Sequence, residues 1–367
     1  MSSVDKRIRD GRTTWLARWR DPNGAQRKRT FTKKSEAERH LVTVESSILT
    51  GSYVDPKDRT TVAEYARRWA AARPHRPSTA RRVTSLIDTH IAGTRLGGRR
   101  LAEVLPSEVQ AWASDRAQVL APSTMRNLVS LLRSIYTSAV LDRLVGSSPV
   151  IRVALPRHER ARVVPLTIEQ VRALADAMPS RNRAMVLTQA GLGLRIGELL
   201  ALRVQDVDFL RRTARIETQL APGAKIRSDP KTPRSKRTIP LPALVADAIA
   251  AHLTVYPAGA DGSIFTTKTG TPYRHDYYGT LIFKAAVTRA ELPEGTTSHD
   301  LRHHYASVLL AAGESVVAVA ERLGHENAML VLSTYGHLMP GSEERTRRAV
   351  DEAWCAPSVP RGGAVSH

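Results

Sequence analysis

Between residues 151 and 165 the chain reads IRVALPRHERARVVP. The run holds two prolines and a cluster of arginines, and its apolar residues follow neither a helix nor a strand period. Proline has no backbone N–H, so no continuous helix or central strand passes through such a stretch. The chain must therefore build separate cores on either side, and 151–164 is expected to be an interdomain linker. A basic linker between basic domains suits a clamp strapped across a polyanion; a plain tether fits it as well.

Charge narrows the partner. Lys plus Arg number 55 against 35 Asp plus Glu, a formal charge of +20 over 367 residues. Self-repulsion of that size contributes nothing to folding, and the usual compensation is a polyanion. Most of the basic residues are arginine, whose planar fork matches phosphate oxygens. GC-rich codons would also enrich arginine, and composition alone does not separate the two. Nucleic acid is the expected partner rather than a membrane: no basic amphipathic anchor stands out and no apolar run approaches a membrane span. The opening MSSVDKRIRD lacks the apolar core of a signal peptide. Cys355 is the single cysteine, which excludes an internal disulfide and a cysteine-rich zinc site. A cytoplasmic protein is expected.

The first segment, 1–55, reads as a small sheet plus a helix. TTWLARWR alternates, with Trp15, Ala17 and Trp19 on one face and Leu16, Arg18 and Arg20 on the other. The turn DPNG leads to a second strand, AQRKRTF, and VDKRIRD supplies a third. SEAERHLVTVESSIL then predicts a helix capped by Ser35, with Glu38 completing an S-x-x-E box and Gly51 past its end. A thin basic sheet suits the major groove, so Arg18, Arg20, Arg27, Lys28 and Arg29 are expected DNA contacts. A structural hairpin with solvated charges is the plainer alternative.

Residues 60–150 predict a helical bundle. Pro106 and Pro122 each open a periodic run at a first turn, where a missing N–H costs nothing. Leu128, Leu131, Leu132 and Ile135 share one face, and Arg81, Arg82 and Arg126 are expected DNA contacts. The third segment, 165–354, mixes helices with a few strands, and 355–367 predicts a flexible tail.

The densest chemistry lies in SHDLRHHYAS, from Ser298 to Ser307. His299 and His303 are four apart and could share a zinc ion. The zincin pattern, however, needs Glu after the first His, where Asp300 stands, and Arg302 would oppose the metal. A phosphate fits better. Thr297 and Asp300 have capping-box spacing, and the free N–H groups of a helix starting there favour an anion beside His299 and Arg302. Three further sites stand elsewhere: Arg195 in GLGLRIGELLAL, with Glu198 placed to hold its guanidinium; Lys231 between two predicted strands; and His325 with Tyr335 in LGHENAMLVLSTYGHL. Each alone has a bland explanation as an ion pair, a solvated charge or a packed ring.

In their order and spacing these four motifs resemble the tyrosine recombinases, specifically the phage-type integrases. The resemblance is strong over 165–340 and extends more loosely to the bundle and the N-terminal sheet. It implies a multidomain fold: a small β-sheet-plus-helix arm-binding domain, an all-α core-binding domain and a mainly α (α+β) catalytic domain. It implies that Arg195 and Arg302 hold the scissile phosphate, that Lys231 is the hairpin lysine, and that His299 begins the H-x-L-R motif. His325 takes the His-or-Trp position, Tyr335 is the nucleophile, and Glu198 and His303 support them. His304 and His337 receive no role. No metal and no cofactor is implied. The implied partners are double-stranded DNA attachment sites and a homotetramer formed on them, with a host DNA-bending protein and a directionality factor as candidates. A nucleoid-associated place in the bacterial cytosol follows.

The chemistry agrees with the resemblance. A phosphodiester repels an anionic nucleophile, and two arginines can neutralise it bidentately without Mg²⁺. Tyrosine ionises near pH 10, so a base such as His299 and nearby cations must lower that cost. The 5′-oxygen needs a proton to leave, and Lys231 is the candidate acid. A phosphotyrosyl product keeps the bond energy, which fits the lack of any G-x-x-x-x-G-K-[ST] loop. GSEERTRRAVDEAW predicts a polar helix whose Ala349, Val350, Ala353 and Trp354 would dock on a neighbouring subunit. A non-catalytic DNA-binding regulator and a type IB topoisomerase-like enzyme are the competing functions.

Overall fold

The computed structural model of the protein describes residues 2–355 other than 10, 11, 23, 52, 157–161, 225, 231 and 339–342. The chain forms two compact units, residues 1–160 and 161–367.

The first unit opens with an antiparallel sheet in the order β1 (Ser3–Arg9), β2 (Arg12–Arg20), β3 (Gln26–Phe31), followed by α1 (Lys34–Leu49). The alternation in β2 does what its period requires. Ala17 and Trp19 pack on Ala37, Leu41 and Val44 of α1, and the Trp19 indole N–H donates to the Tyr53 hydroxyl at 3.1 Å. Leu16, on the opposite face, is buried as well. The predicted Ser35 cap is not formed. The cap lies two residues earlier, at Lys33 with no side-chain bond, and Lys34 pairs with Glu38 instead. Gly51 follows the helix with φ +71, the left-handed geometry glycine allows.

Of the hairpin cations, Arg20, Lys28 and Arg29 are exposed. Arg18 pairs with Asp5 at 3.1 Å, and Arg29 lies over the Phe31 ring. Arg27 is held more firmly than the others. Its side chain is 17% exposed and bonded to both Asp21 and Asp55, so it ties the sheet to the segment after α1.

A bundle follows: α2 (Val62–Ala72), α3 (Pro77–Ile87), α4 (Pro106–Ala117) and α5 (Pro122–Leu141). Pro77, Pro106 and Pro122 each stand in the first turn, and Thr61 and Glu64 close a capping box on α2. Leu128, Leu132 and Ile135 are fully buried, and Leu131 partly so. Arg81, Arg82 and Arg126 are exposed on α3 and α5. The proposed linker is shorter than its composition suggests. Val153 and Leu155 pack on the bundle core, and Gln110 bonds both the N–H and the carbonyl of Ala154. Residues 157–161 of the linker lie outside the described residues.

The second unit contains α6 (Ile168–Ala177), α7 (Ser180–Leu192), α8 (Ile196–Ala201), the short strands β4 (Val207–Asp208), β5 (Thr213–Ile216) and β6 (Arg237–Pro240), and α9 (Ala243–Val255). There follow α10 (His275–Tyr277), α11 (Lys284–Arg289), α12 (Ser298–Ala311), α13 (Val316–Leu323), α14 (Ala328–Tyr335) and α15 (Glu343–Cys355). The strands form one antiparallel sheet in chain order. Helix α7 is buried along most of its length and packs on α6, α9 and α12. Its Met185 packs in a core with Leu174, Leu199, Ile239, Ile249, Phe265 and Leu301. A smaller cluster joins α12, α13 and α14 through Tyr305, Leu310, Val319, Leu323, Val331 and Tyr335. Among the described residues no helix is long and apolar enough to cross a membrane. Residues 356–367 of the predicted tail lie outside the description.

Candidate active site

Helix α7 ends at Gly193, whose φ of +61 turns the chain so that Arg195 caps the next helix. No side chain fits there: a Cβ on Gly193 would lie 2.3 Å from the Tyr305 ring. Glu198 then holds Arg195 as the spacing predicts. It accepts the Arg195 backbone N–H at 2.9 Å and Nη1 at 2.8 Å. Gly197 fits between them because the Leu220 backbone crosses close by. Leu220 N–H donates to the Gly197 carbonyl at 2.9 Å, and a Cβ at 197 would sit 2.6 Å from the Leu220 oxygen.

Helix α12 begins where its capping box places it. Asp300 accepts the Thr297 N–H at 2.7 Å, and Thr297 Oγ1 accepts the His299 N–H at 3.3 Å. Of the N–H groups expected there for a phosphate, that of His299 is thus spent on Thr297 and that of Thr297 on Asp300. One turn on, Arg302 is 1% exposed. It donates to the carbonyls of Gly193 at 2.7 Å and Leu323 at 2.5 Å, and to His325 Nε2 at 2.9 Å. His325 Nε2 is thus the acceptor, the ring proton lies on Nδ1, and that buried atom has no partner among the described residues.

A cleft of about 610 Å³ opens over this group, lined by Arg195, His299 and His325 together with Gln219, Thr232 and Asn327. Three of the six expected catalytic residues therefore line one cleft. Arg302 is not part of the lining and lies buried behind His325, to which it is bonded. Lys231 falls in sequence between β5 and β6 but lies outside the described residues.

Tyr335 is 2% exposed and sits in the small cluster. Its hydroxyl is 2.6 Å from His303 Nδ1, and the His303 ring packs edge-on against His299 at 4.7 Å between centroids. The phenol is therefore two rings away from the cleft wall. His304 and His337, left without a role by the sequence, bond the start of this unit: His304 Nδ1 to the Leu166 carbonyl at 2.7 Å and His337 Nε2 to that of Val163 at 3.0 Å. Arg237 was missed altogether. Its side chain is 5% exposed and shares Glu198 with Arg195. No local pattern marks it, because its partner lies 39 positions away in the chain.

The electrostatics are those of a site waiting for an anion. Burial, then the charges of His303 and Arg302, pushes His299 down to about 4. Burial, then Arg302 and Arg195, does the same to His325, also to about 4. Burial lowers His303 and raises Tyr335, the latter opposed by Arg302. At neutral pH the site holds neutral imidazoles and an un-ionised phenol. A stability prediction follows. The unfolded chain protonates these histidines near pH 6.5, whereas the fold resists protonation until about 4. The stability they contribute is complete above about pH 6.5 and is lost as pH falls toward 4. The urea midpoint of the second unit should drop between pH 7 and 4.5, and less so in a His299→Asn/His325→Asn variant; equal slopes would contradict this origin.

Among the described residues no group of three His, Cys, Asp or Glu side chains is placed to hold a metal. The model of the Phage integrase family matches residues 165–341, the span that contains the cleft. A prophage phiRv2 integrase of Mycobacterium tuberculosis is 29% identical over 342 residues, 90% of this chain and 90% of that protein. A tyrosine recombinase of Thermosipho africanus is 30% identical over 220 residues, 59% of this chain and 72% of its own length. Among solved structures, the Tn1549 transposon integrase in complex with a circular intermediate DNA superposes at a TM-score of 0.68, with 24% identity, over 80% of this chain and 99% of that one. That last likeness is one of fold. From these relatives and the family match over the cleft, the chain belongs to the tyrosine recombinases, among their phage-type integrases.

Proposed function

We propose that this site-specific recombinase cuts and rejoins DNA with Tyr335 as nucleophile and His303 as the first acceptor of its proton. The observation that carries this is the 2.6 Å contact between the phenol oxygen and His303 Nδ1, with His303 packed on His299 in the cleft wall. Tyr335 Oη attacks the scissile phosphorus and its proton passes to His303 Nδ1. The bond from phosphorus to the 5′-oxygen breaks, and that oxygen takes a proton from Lys231, the role its place in the family pattern gives it. Arg195 and His325, both in the cleft wall, meet the non-bridging oxygens. The 3′-phosphotyrosyl bond keeps the energy of the broken ester, and attack by a 5′-hydroxyl reverses the step.

For the attack, Tyr335 leaves its apolar cluster. Burial of a side chain of this size is worth about 2–3 kcal/mol. Bound DNA supplies that energy by placing an anion among Arg195, Arg302 and three neutral histidines. The buried tyrosine thereby keeps the free protein inactive.

The wider roles belong to the same proposal. The sheet with α1 reads arm sites through Arg20, Lys28 and Arg29, and the bundle grips the core site through Arg81, Arg82 and Arg126. Helix α15 exposes Val350 and leaves Trp354 86% exposed, a face suited to docking on a neighbouring protomer in a tetramer on DNA. The partners are attachment-site DNA, a host DNA-bending protein and a directionality factor. The place of action is the nucleoid of a bacterial cytosol.

The deciding experiment uses a nicked duplex copied from the DNA junctions flanking the gene. A covalent adduct resistant to denaturant should form in EDTA, and its absence on both junctions would defeat the proposal. Affinity should also fall by about 10³-fold or more between about 50 and 200 mM salt, as six or more phosphate contacts require. A flat titration would contradict the charge argument.

A further inference from the structure

Arg237 takes no part in the chemistry above, yet it bonds three separate elements from within the fold. Its Nη2 and Nη1 donate to the two oxygens of Glu198, at 2.9 and 3.2 Å. Its Nε donates to the Arg322 carbonyl at the end of α13, at 2.7 Å. Nη1 also reaches the Ser235 carbonyl of its own hairpin, at 3.0 Å. Two of these contacts lead directly to the cleft. Glu198 is the carboxylate that orients Arg195. Arg322 stands three residues before His325, and the turn between them is fitted around Arg237: Gly324 has φ +64, and a Cβ there would lie 3.1 Å from Arg237 Nη1.

The same turn is held by three more guanidinium groups. Arg302 takes the Leu323 carbonyl at 2.5 Å, Arg195 that of Gly324 at 3.4 Å, and Arg234 that of Glu326 at 2.5 Å. The turn that carries His325 is thus gripped from α8, α12 and the β6 hairpin together. Burial alone would raise the Glu198 carboxyl; the Arg237 charge and hydrogen bond, then Arg302 and Arg195, hold it below the ordinary range.

We infer that Arg237 is a positioning residue of the cleft, fixing Arg195 through Glu198 and His325 through the Arg322 carbonyl in one mutual geometry. It touches no reacting atom. Only a planar fork can serve both partners, since a lysine offers a single point of charge. The inference rests on the recombinase chemistry proposed above.

The test is Arg237→Lys, with Arg237→Gln beside it, in the full chain saturated with the nicked junction duplex. Adduct formation is followed in a single turnover, where misfolded material lowers the amplitude and leaves the rate constant unchanged. Arg237→Lys keeps the positive charge that Glu198 needs, which preserves the folded fraction. Both variants should react about 100-fold more slowly, with DNA affinity within about threefold of the parent. On a duplex with a neutral methylphosphonate at the scissile position, Arg195 has no anion to neutralise, and the gap should narrow to about tenfold or less. A rate within about threefold of the parent on the ordinary phosphodiester overturns the inference, and so does a gap equally wide on the methylphosphonate. A parent that forms no adduct defeats the recombinase chemistry instead.

Discussion

Tyr335→Phe should abolish the covalent adduct, a loss of about 10⁴-fold or more, while DNA affinity stays within about threefold. The ring remains to fill the cluster of Leu310, Val319, Leu323 and Val331, and only the hydroxyl and its bond to His303 disappear. Loss of one such bond changes stability by about 1 kcal/mol, so the variant should fold and bind. Denaturing gels and a filter-binding titration on the same nicked duplex read the two effects separately. Each contrary result points to a different molecule. An adduct that persists names another nucleophile. Strand cleavage without an adduct, sensitive to EDTA, would revive a metal hydrolase built on His299 and His303. Tight binding with no cleavage in parent or variant would mean a regulator on a recombinase scaffold.

What could be read from the sequence was what local physics determines. Proline at the first turn set α4 and α5, and the Thr297 box set α12, because a cap and its partner lie within three residues. The Arg195–Glu198 pair was legible for the same reason. The spacing S-x-x-E at Ser35 misled because Lys34 competes for Glu38 from the adjacent turn. Partners distant in sequence left no such trace. Nothing in the sequence hinted that Arg27 pairs with both Asp21 and Asp55, the latter 28 positions away. Arg237 looked like any strand arginine. His304 and His337 proved to bond the carbonyls of Leu166 and Val163, a choice made by the packing of α12 and α14 on the start of the unit. The family pattern named Tyr335 and Arg302 but gave no sign that both would lie beneath the cleft, since exposure depends on the whole cluster.

Arg302 is where stability and chemistry coincide, and its substitution should damage both. The guanidinium spans the end of α7 and the end of α13 by bonding Gly193 and Leu323, and it holds His325 with the same nitrogen that reaches Leu323. Arg302→Ala leaves two buried carbonyls and a ring nitrogen unpaired above a cavity. The expected cost is about 3–5 kcal/mol, read as a lower urea midpoint. The adduct rate should fall by about 10³-fold or more, because His325 in the cleft wall loses the guanidinium that holds it and the positive charge behind it. Arg302→Lys separates the contributions. It retains the charge, but one ammonium cannot reach both helix ends and the imidazole at once. It should therefore recover part of the stability and little of the rate. His325 supplies an independent readout. Burial is the main cause of its depressed pKa and Arg302 the next, so in Arg302→Ala the ring should titrate above about 4, closer to 6.5, while in Arg302→Lys it should stay near the parent value. A parent-like rate in the lysine variant would mean that charge alone suffices and that the bonds to Gly193 and Leu323 serve only the fold. An unshifted His325 in the alanine variant would mean that burial, not the guanidinium beneath it, sets the imidazole's protonation state.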